Sequence, residues 1–557
     1  MTTFTDILQK FYLESPNRAC IYLQRSGQDD LSISYSQLIE GANAYAQIYA
    51  KKGIKSGEVV VLILQHSPDL LYAFWGAVLH GAIPSIMPFL TEKLSPERYR
   101  EDLSALISVT KPVSIITYPE FEGNIKDAFD EGDSVREVIL SDEIPSASRV
   151  DFCLLSGLQH SPDDIVLLQH SSGTTGLQKG VALSHRAVLK QLNAYSESIS
   201  LDREKDVIIS WLPLYHDMGL IASFLLPILK GIPLVLISPF DWVRAPYKLM
   251  HSVSQYKGTL TWMPNFAYIF CARKIRERHL EDVDLSSWRA IINCSEPVRW
   301  ESHQDFFEKF KEYGLKLESL QTSYAMAENT FAVTQSNLLH PPAIDNVDAE
   351  SLSTGGITRP ASAESLSVKM MSSGRAIPNT RIRILNLDGE EVQEREVGEI
   401  ALKSDCMLTE YYNRPQTTEK AFEGEWYLTG DFGYLVGEEL FVSGRKKEMI
   451  IVGGKNIYPQ DLERLVYEVD GIHAGRAVAF GLYDERTGTE EVIIVAEANV
   501  DTEEARYKLA DEVRKHVTIN SAVALRQVKI VPEKWILKTS SGKAARGANK
   551  EKYLREA

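Results

Sequence analysis

The sequence predicts an α/β protein: a large N-terminal part built on mixed or parallel sheets flanked by helices, with a small α+β part behind it. Three observations carry this. Strand–helix–strand units recur with continuous apolar strands, the pattern of parallel sheet covered on both faces. Near residue 445 the texture changes to short strands alternating with helices. The length, 557 residues, exceeds what one hydrophobic core sustains, so two or more domains are expected.

The elements follow in order. "VVVLIL" (59–64) is a β-branched apolar strand. Ser67-Pro68-Asp69 then opens a helix through "LLYAFWGAVLH", Gly81 closes it, and "IPSIM" resumes as strand. Proline suits a first helical turn and glycine a helix stop. "PVSIITY" (112–118) and "DDIVLLQ" (163–169) are further strands. "VAL" (181–183) is another, after which Ser184 caps a helix with Val188, Leu192 and Tyr195 on one face. "VIISWL" (207–212), a helix to about Lys230, a stop at Gly231 and the strand "IPLVLIS" repeat the first unit.

The most apolar region, 220–239, is interrupted by Lys230, Gly231, Pro227, Pro233 and Pro239. A spanning helix needs roughly 20 uninterrupted apolar residues, so no transmembrane segment is expected there. Between Glu328 and Gly374 lie 45 residues rich in Ser, Thr, Asn, Gly and Pro. A structureless loop of that length is uncommon inside a compact domain; the segment is either a functional insertion (about 335–372) or a disordered excursion. Behind Arg445–Lys447 come a helix (about 459–469), the strands "RAVAF" and "EVIIVAEA", a helix (about 502–518) and the strand "QVKIV". The expected domains are therefore 1–444 and 445–557.

Bulk chemistry excludes several classes. Hydrophobic residues at 44% and charged residues at 24% are ordinary for a globular chain. A net charge of −16 argues against nucleic acid as a partner. Five scattered cysteines (Cys20, Cys153, Cys271, Cys294, Cys406) include no C-x-x-C pair, so buried free thiols in a reducing, cytoplasmic setting are expected. The N-terminus lacks the basic and apolar regions of a signal peptide.

The stretch "HSSGTTGLQKG" (170–180) carries the chemistry. Its glycines let backbone N–H groups approach an anion, its hydroxyls donate, and Lys179 supplies charge, which suits a polyphosphate. It joins two strands, and Lys179 precedes Gly180, so it does not match a Walker A loop. A polar hairpin turn is the plain alternative.

"SSGTTGLQKG" followed by "SH" resembles the signature loop of the adenylate-forming (ANL, AMP-dependent synthetase/ligase) superfamily. Five further motifs continue the resemblance in order: "SWLPLYHDMGL" (210–220), "SYAMAE" (323–328), "YLTGDFGYL" (427–435), "GRKKEMIIVGGKNIYPQDLE" (444–463) and "KTSSGK" (538–543). Gln178 and His170 depart from it, standing where a proline and a small hydroxyl residue are common. The resemblance implies the ANL fold with a mobile C-terminal lid hinged at Lys447. It implies ATP and Mg²⁺ as cofactors, and a carboxylate converted to acyl-adenylate plus pyrophosphate, then to thioester.

By the same resemblance, Ser171, Ser172, Gly173, Thr174, Thr175, Gly176 and Lys179 cradle phosphate. Tyr324, flanked by Ser323 and Ala325, stacks on adenine; Glu328 holds Mg²⁺ with Thr174. Asp431 grips the ribose, assisted by Arg445, and Lys543 reaches the carboxylate and α-phosphate. His216 stands beside the substrate carboxylate, with a satisfied core histidine as its alternative. "MPNFAYIF" (Asn265, Phe266) and "NCSEPVR" (Cys294, Ser295, Glu296) line an acyl pocket or plain core.

"WLPLYHDMGLI", "PNFAY", "DLSSW", "SEPVR", "SSGRAIPNTRIRIL" and "GKNIYPQDLE" resemble the fatty acyl-AMP ligase branch, and the segment after Glu328 falls where that branch carries an extra segment. The branch implies a fatty acid substrate and transfer to the phosphopantetheine arm of an acyl carrier protein. No arm-attachment motif of the Asp-Ser-Leu type follows Lys543, so a stand-alone carrier is expected. Residues 538–557 hold six Lys/Arg and two Glu, a local +4 that suits an acidic carrier. A fatty acyl-CoA ligase would share every phosphate motif, and a non-catalytic adenylate-binding relative is the alternative of another class.

Overall fold

The computed structural model describes residues 2–89, 96–130, 132–171, 179–353, 356–363, 365–452, 455–486, 489–521, 523–539 and 543–556, apart from the side chains of 98, 171 and 474. Two seven-stranded sheets dominate it. The first runs Leu320–Thr322, Ala290–Asn293, Leu260–Met263, Ile208–Ser210, Leu234–Leu236, Ala19–Leu23 and Leu31–Ser34; only the last pairing is antiparallel. The second runs Glu410–Tyr411, Lys179–Ser184, Ile165–Ser171, Ile83–Ile86, Val59–Leu62, Ser114–Thr117 and Glu137–Leu140. Its first two pairings are antiparallel and the other four parallel. The main core draws on both sheets and on the helices Tyr35–Lys51 and Pro68–His80.

The repeated unit forms as its sequence dictates. Pro68 opens the helix Pro68–His80, Gly81 ends it at φ +83°, and the strands on either side pair in parallel. In the second unit the helix begins as a π-helix, Met218–Leu225, before continuing as Leu226–Lys230. Gly219 is required at its start: a Cβ there would lie 2.2 Å from the Pro213 carbonyl oxygen. Among the described residues no helix is long and apolar enough to cross a membrane.

The described residues after Glu328 form strands and a short helix rather than a structureless loop. Ile344–Asp348 pairs antiparallel with Ser367–Met371, and a short helix, Ala349–Ser353, follows the first strand. The hairpin's ends meet, since the Ser372 N–H donates to the Ala343 carbonyl at 2.8 Å. Val347, Leu352 and Met370 are buried with Phe432, Tyr434, Phe441 and Tyr458, so this small core reaches past residue 445. The cysteine expectation needs one correction: all five are free, but Cys153 is exposed, on the short 3₁₀ turn Phe152–Leu154.

A five-stranded sheet built on Thr380–Leu385, Gly398–Ser404 and Trp426–Val436 leads through Glu439–Arg445 to the C-terminal segment. There Ile472–Asp484, Thr489–Ala498 and Leu525–Val531 form a three-stranded sheet. Alternate residues feed two cores. Ala477, Ala479 and Ile494 face the helices Pro459–Tyr467 and Glu503–Ser521; Val478, Phe480 and Val495 pack with Trp535 and Tyr553. Arg546, at the start of the last helix, forks onto Glu463 at 3.0 and 2.7 Å and also binds Glu448. These three side chains are 18%, 8% and 17% exposed, so the triad is largely withdrawn from water.

Candidate active site

The glycine-rich loop connects adjacent antiparallel strands, with Ser171 opposite Lys179. Ser172, Gly173, Thr174, Thr175 and Gly176 lie outside the described residues, as does the side chain of Ser171. Lys179 emerges from the loop half-buried, its Nζ 4.3 Å from the centre of the Tyr411 ring. Burial pulls its pKa down, the Glu328 carboxylate pushes it up, and the positive charges of Lys447 and Arg414 lower it.

Glu328 sits on a single 3₁₀ turn, Ala327–Asn329, whose backbone is fixed by the Leu408 N–H at 2.7 Å. Its carboxylate is 9% exposed, and Oε1 accepts the Tyr411 hydroxyl at 2.9 Å. The Tyr411 and Tyr427 hydroxyls lie 2.8 Å apart. Burial raises the Glu328 pKa, while the Tyr411 hydrogen bond and the nearby Lys179 hold it down.

Tyr324 is buried, and its hydroxyl donates to Asp431 Oδ2 at 2.6 Å. The other oxygen of Asp431 pairs with Arg445 Nε at 3.1 Å. Asp431 and Arg445 face each other directly across adjacent antiparallel strands, which fixes the pair. Ser323 spends its hydroxyl on the Thr334 carbonyl at 2.7 Å, and Ala325 makes a backbone bridge to Ala332. Those two residues flank Tyr324 just past the strand Leu320–Thr322 and fix the backbone that carries it.

Lys543, 248 residues away in sequence, donates its ammonium to the Ser295 carbonyl. Ser295 occupies the left-handed region at φ +68°, unusual for a residue with a side chain. Asp217 and Cys294 feel the lysine's charge: burial drives both pKa values up and Lys543 draws both down. Asp217 also caps the π-helix by accepting the Met218 N–H at 2.8 Å. His216, one residue earlier, is half-buried with its ring edge-on to Tyr215 at 4.8 Å.

The predicted acyl residues divide by chemistry. Asn265 Oδ1 accepts from Asn293 Nδ2 at 3.0 Å and from the Arg299 N–H at 3.2 Å. Glu296 Oε2 accepts the Phe266 N–H at 2.9 Å, at the start of the helix Asn265–Lys274. Both polar groups are thus used to pin backbone. Phe266 packs edge-on 6.2 Å from Trp211 and from Trp242, which stack on each other at 3.5 Å. Cys294 is buried with its sulfur 3.1 Å from that of Met218.

Three groupings therefore form: Tyr324 with Asp431 and Arg445, Lys179 with Glu328, and Lys543 with Ser295 and Cys294. Tyr411, Tyr427, Asp217 and Arg299 were not singled out from the sequence. Asp217 and Arg299 lie inside quoted motifs, beside residues that were. Tyr411 stands on a two-residue strand with no pattern of its own.

The sequence profile of the AMP-binding enzyme family matches residues 9–412, and the chain belongs to that family. It is 29% identical to the medium-chain-fatty-acid–[acyl-carrier-protein] ligase JamA of Moorena producens, over 99% of this chain and 95% of that one. It is 30% identical to the long-chain-fatty-acid–AMP ligase FadD26 of Mycobacterium bovis, over 94% and 91%. A solved structure from work on fatty acyl-adenylate ligases of E. coli and L. pneumophila superposes with a TM-score of 0.90 at 28% identity, covering 100% and 98%. The L. pneumophila fatty acyl-adenylate ligase with acyl adenylate and pyrophosphate gives 0.74 at 28%, covering 99% and 96%.

Proposed function

We propose that this chain activates a fatty carboxylic acid with ATP and passes the acyl group to the phosphopantetheine thiol of a separate acyl carrier protein. In the first step a carboxylate oxygen attacks the α-phosphorus of ATP and the bond to the β-phosphate breaks, giving acyl-AMP and pyrophosphate. In the second the thiol sulfur attacks the acyl carbonyl, its proton is lost, and AMP leaves. One observation carries the reading. The Lys543 ammonium donates to the Ser295 carbonyl, next in the chain to Cys294, and its charge is felt by buried Asp217 and Cys294, which supports reading it as a cation beside the acyl end of the site. The fatty acyl-AMP and carrier-protein ligases among the relatives support the substrate and the acceptor.

In this reading Asp431 holds the ribose, with Arg445 beside it and Tyr324 against the base. Lys179 and the loop 171–176 hold the phosphates. His216 stands at the carboxylate, and Phe266, with the Trp211–Trp242 stack behind it, borders the chain. Glu328 suits Mg²⁺: it is a buried carboxylate already held by one hydroxyl, and this ion is commonly bound by one or two carboxylates with phosphate oxygens completing the shell. The ion would neutralise charge on the departing pyrophosphate. Free thiols suit a reducing, cytoplasmic setting.

Incubation with fatty acids and ATP should release pyrophosphate and yield acyl-AMP by mass spectrometry. The acyl group should then appear on a phosphopantetheinylated carrier and only slowly on free coenzyme A. Efficient acyl-CoA formation would make the chain a fatty acyl-CoA ligase instead; no adenylate with any fatty acid would make it a non-catalytic relative.

Residues 445–557 act as a lid in this reading, turning about Lys447 between the two steps. Lys447→Pro fixes one torsion of the hinge, so adenylate should still form while transfer to the carrier drops at least tenfold. Equal loss of both steps would place the hinge elsewhere.

The insertion gives the lid a preferred position, because its Val347, Leu352 and Met370 are buried together with Tyr458. A bias of about 1.4 kcal/mol shifts such an equilibrium tenfold. A carrier protein offsets it with surface contacts that coenzyme A lacks. Since the ends at Ala343 and Ser372 are hydrogen-bonded, residues 344–371 can be replaced by two glycines. That variant should gain coenzyme-A transfer while adenylate formation persists, with a melting curve confirming the fold. Unchanged discrimination against coenzyme A would remove the insertion from this role.

A further inference from the structure

The segment 295–299 makes a second contact with the C-terminal part that the chemistry above does not use. Arg299 NH1 lies 3.1 Å from Asp461 Oδ1, and NH2 donates to the Gln460 carbonyl at 2.9 Å. Both groups belong to the first turn of the helix Pro459–Tyr467. The Arg299 and Asp461 side chains are 19% and 30% exposed, so water screens the pair only partly. Gln460 Nε2 in turn donates to the Ser443 carbonyl at 2.7 Å, in the strand that runs into Arg445.

The base of Arg299 is equally fixed. Its N–H is bound by Asn265, and Glu296, three residues earlier, is bound to the Phe266 N–H. One short stretch thus holds Lys543 at one end, through the Ser295 carbonyl, and the start of a lid helix at the other. Arg445 with Asp431 and Lys446 with Glu399 also join the two parts, but both lie on the N-terminal side of Lys447; past Lys447, the pair Lys455 with Glu350 at 3.8 Å joins two side chains that are 55% and 77% exposed and adds little. A guanidinium that engages a carboxylate and a carbonyl together has the directionality to set an angle.

We propose that Arg299 is a positioning residue for adenylate formation: its two-point grip on Gln460 and Asp461 holds the lid where Lys543 reaches the site, and the grip is released before thiol transfer. This rests on reading Lys543 as the cation of the first step. Arg299 touches no reacting atom, so its loss lowers the fraction of lids in position and leaves substrate affinity alone.

The test measures two half-reactions on the full chain: pyrophosphate release from fatty acid and ATP, and thioester formation on carrier protein from supplied acyl-adenylate. Arg299→Met and Asp461→Asn should each slow pyrophosphate release about tenfold in kcat, with KM for ATP and fatty acid within twofold and transfer not slowed. The exchanged pair, Arg299→Asp with Asp461→Arg, should recover at least half of the lost rate, which a general loss of stability would not do. Equal slowing of both half-reactions, a change confined to KM, or failure of the exchange to rescue would overturn the proposal. Lys543→Ala run in parallel separates the two ideas. Normal pyrophosphate release by Lys543→Ala removes the underlying reading; an inert Lys543→Ala beside an unimpaired Arg299→Met removes the grip alone.

Discussion

Lys543→Ala should cut pyrophosphate release from fatty acid and ATP by about 10²–10³-fold while leaving transfer of a supplied acyl-adenylate within a few-fold of normal. Removing one preorganised donor from a site of developing charge has that order of effect. The ammonium is already directed: it is held on the Ser295 carbonyl, in a loop where the Thr539 N–H donates to the Lys543 carbonyl at 2.8 Å. In its proposed role it therefore needs little reorganisation when carboxylate and α-phosphate meet. When a thiol attacks the finished adenylate, the negative charge leaves on AMP and the lysine has no evident task. Lys543→Arg should recover little, because the planar fork cannot occupy the place of a point charge. Comparable damage to both half-reactions would reject this division of labour.

Asp431→Ala should lower kcat/KM for ATP about 100-fold and leave the KM for fatty acid nearly unchanged. A carboxylate gripping a ribose supplies charge-assisted hydrogen bonds, each worth about 1.5–3 kcal/mol. The same change removes the acceptor of the buried Tyr324 hydroxyl and the partner of Arg445. Leaving that hydroxyl unsatisfied costs about 1–3 kcal/mol, so a lower melting temperature is expected as well. Asp431→Asn keeps the shape and one acceptor; it should melt closer to the parent yet still bind ATP poorly. An Asp431→Ala protein with the parent's ATP dependence would mean that the aspartate only braces Tyr324.

The alternating strand and helix units were legible because their signals are local. Pro68 and Gly81 punctuate one helix and Gly231 ends another, and each acts where its own backbone preference requires. The π-helical start at Met218 was not legible: Gly219 permits its close approach to the Pro213 carbonyl, and no periodicity announces it. The insertion escaped for a different reason. "IDNVD" and "SVKMM" are short and mix polar with apolar residues without a clear period, and their apolar residues find a core supplied by Phe432, Tyr434 and Tyr458.

The site divides similarly. Residues carried by dense motifs, such as Lys179, Asp431 and Lys543, stood out in the sequence. Tyr411 did not, because its meaning lies in a hydrogen bond to Glu328 across 83 residues of chain. Arg299 stood in a motif, but its partner Asp461 lies 162 residues on, in the first turn of a helix, and only folding brings the two together.

The Arg546 triad has a mechanical consequence. Glu448 follows Lys447, the proposed hinge, and Arg546 is three residues beyond Lys543, so on the lid reading this largely dry bond network couples the pivot to the tip. Breaking one arm would strand a buried charge at a cost of about 3–5 kcal/mol, so the tip cannot lag behind the pivot. A slack arm would let the lysine linger at half-open angles, where a fresh acyl-adenylate meets water before it meets a thiol. A stiff one confines that exposure to the transit itself. On that reading the triad protects the yield of thioester per ATP consumed, and a loosened variant should waste ATP as free fatty acid and AMP.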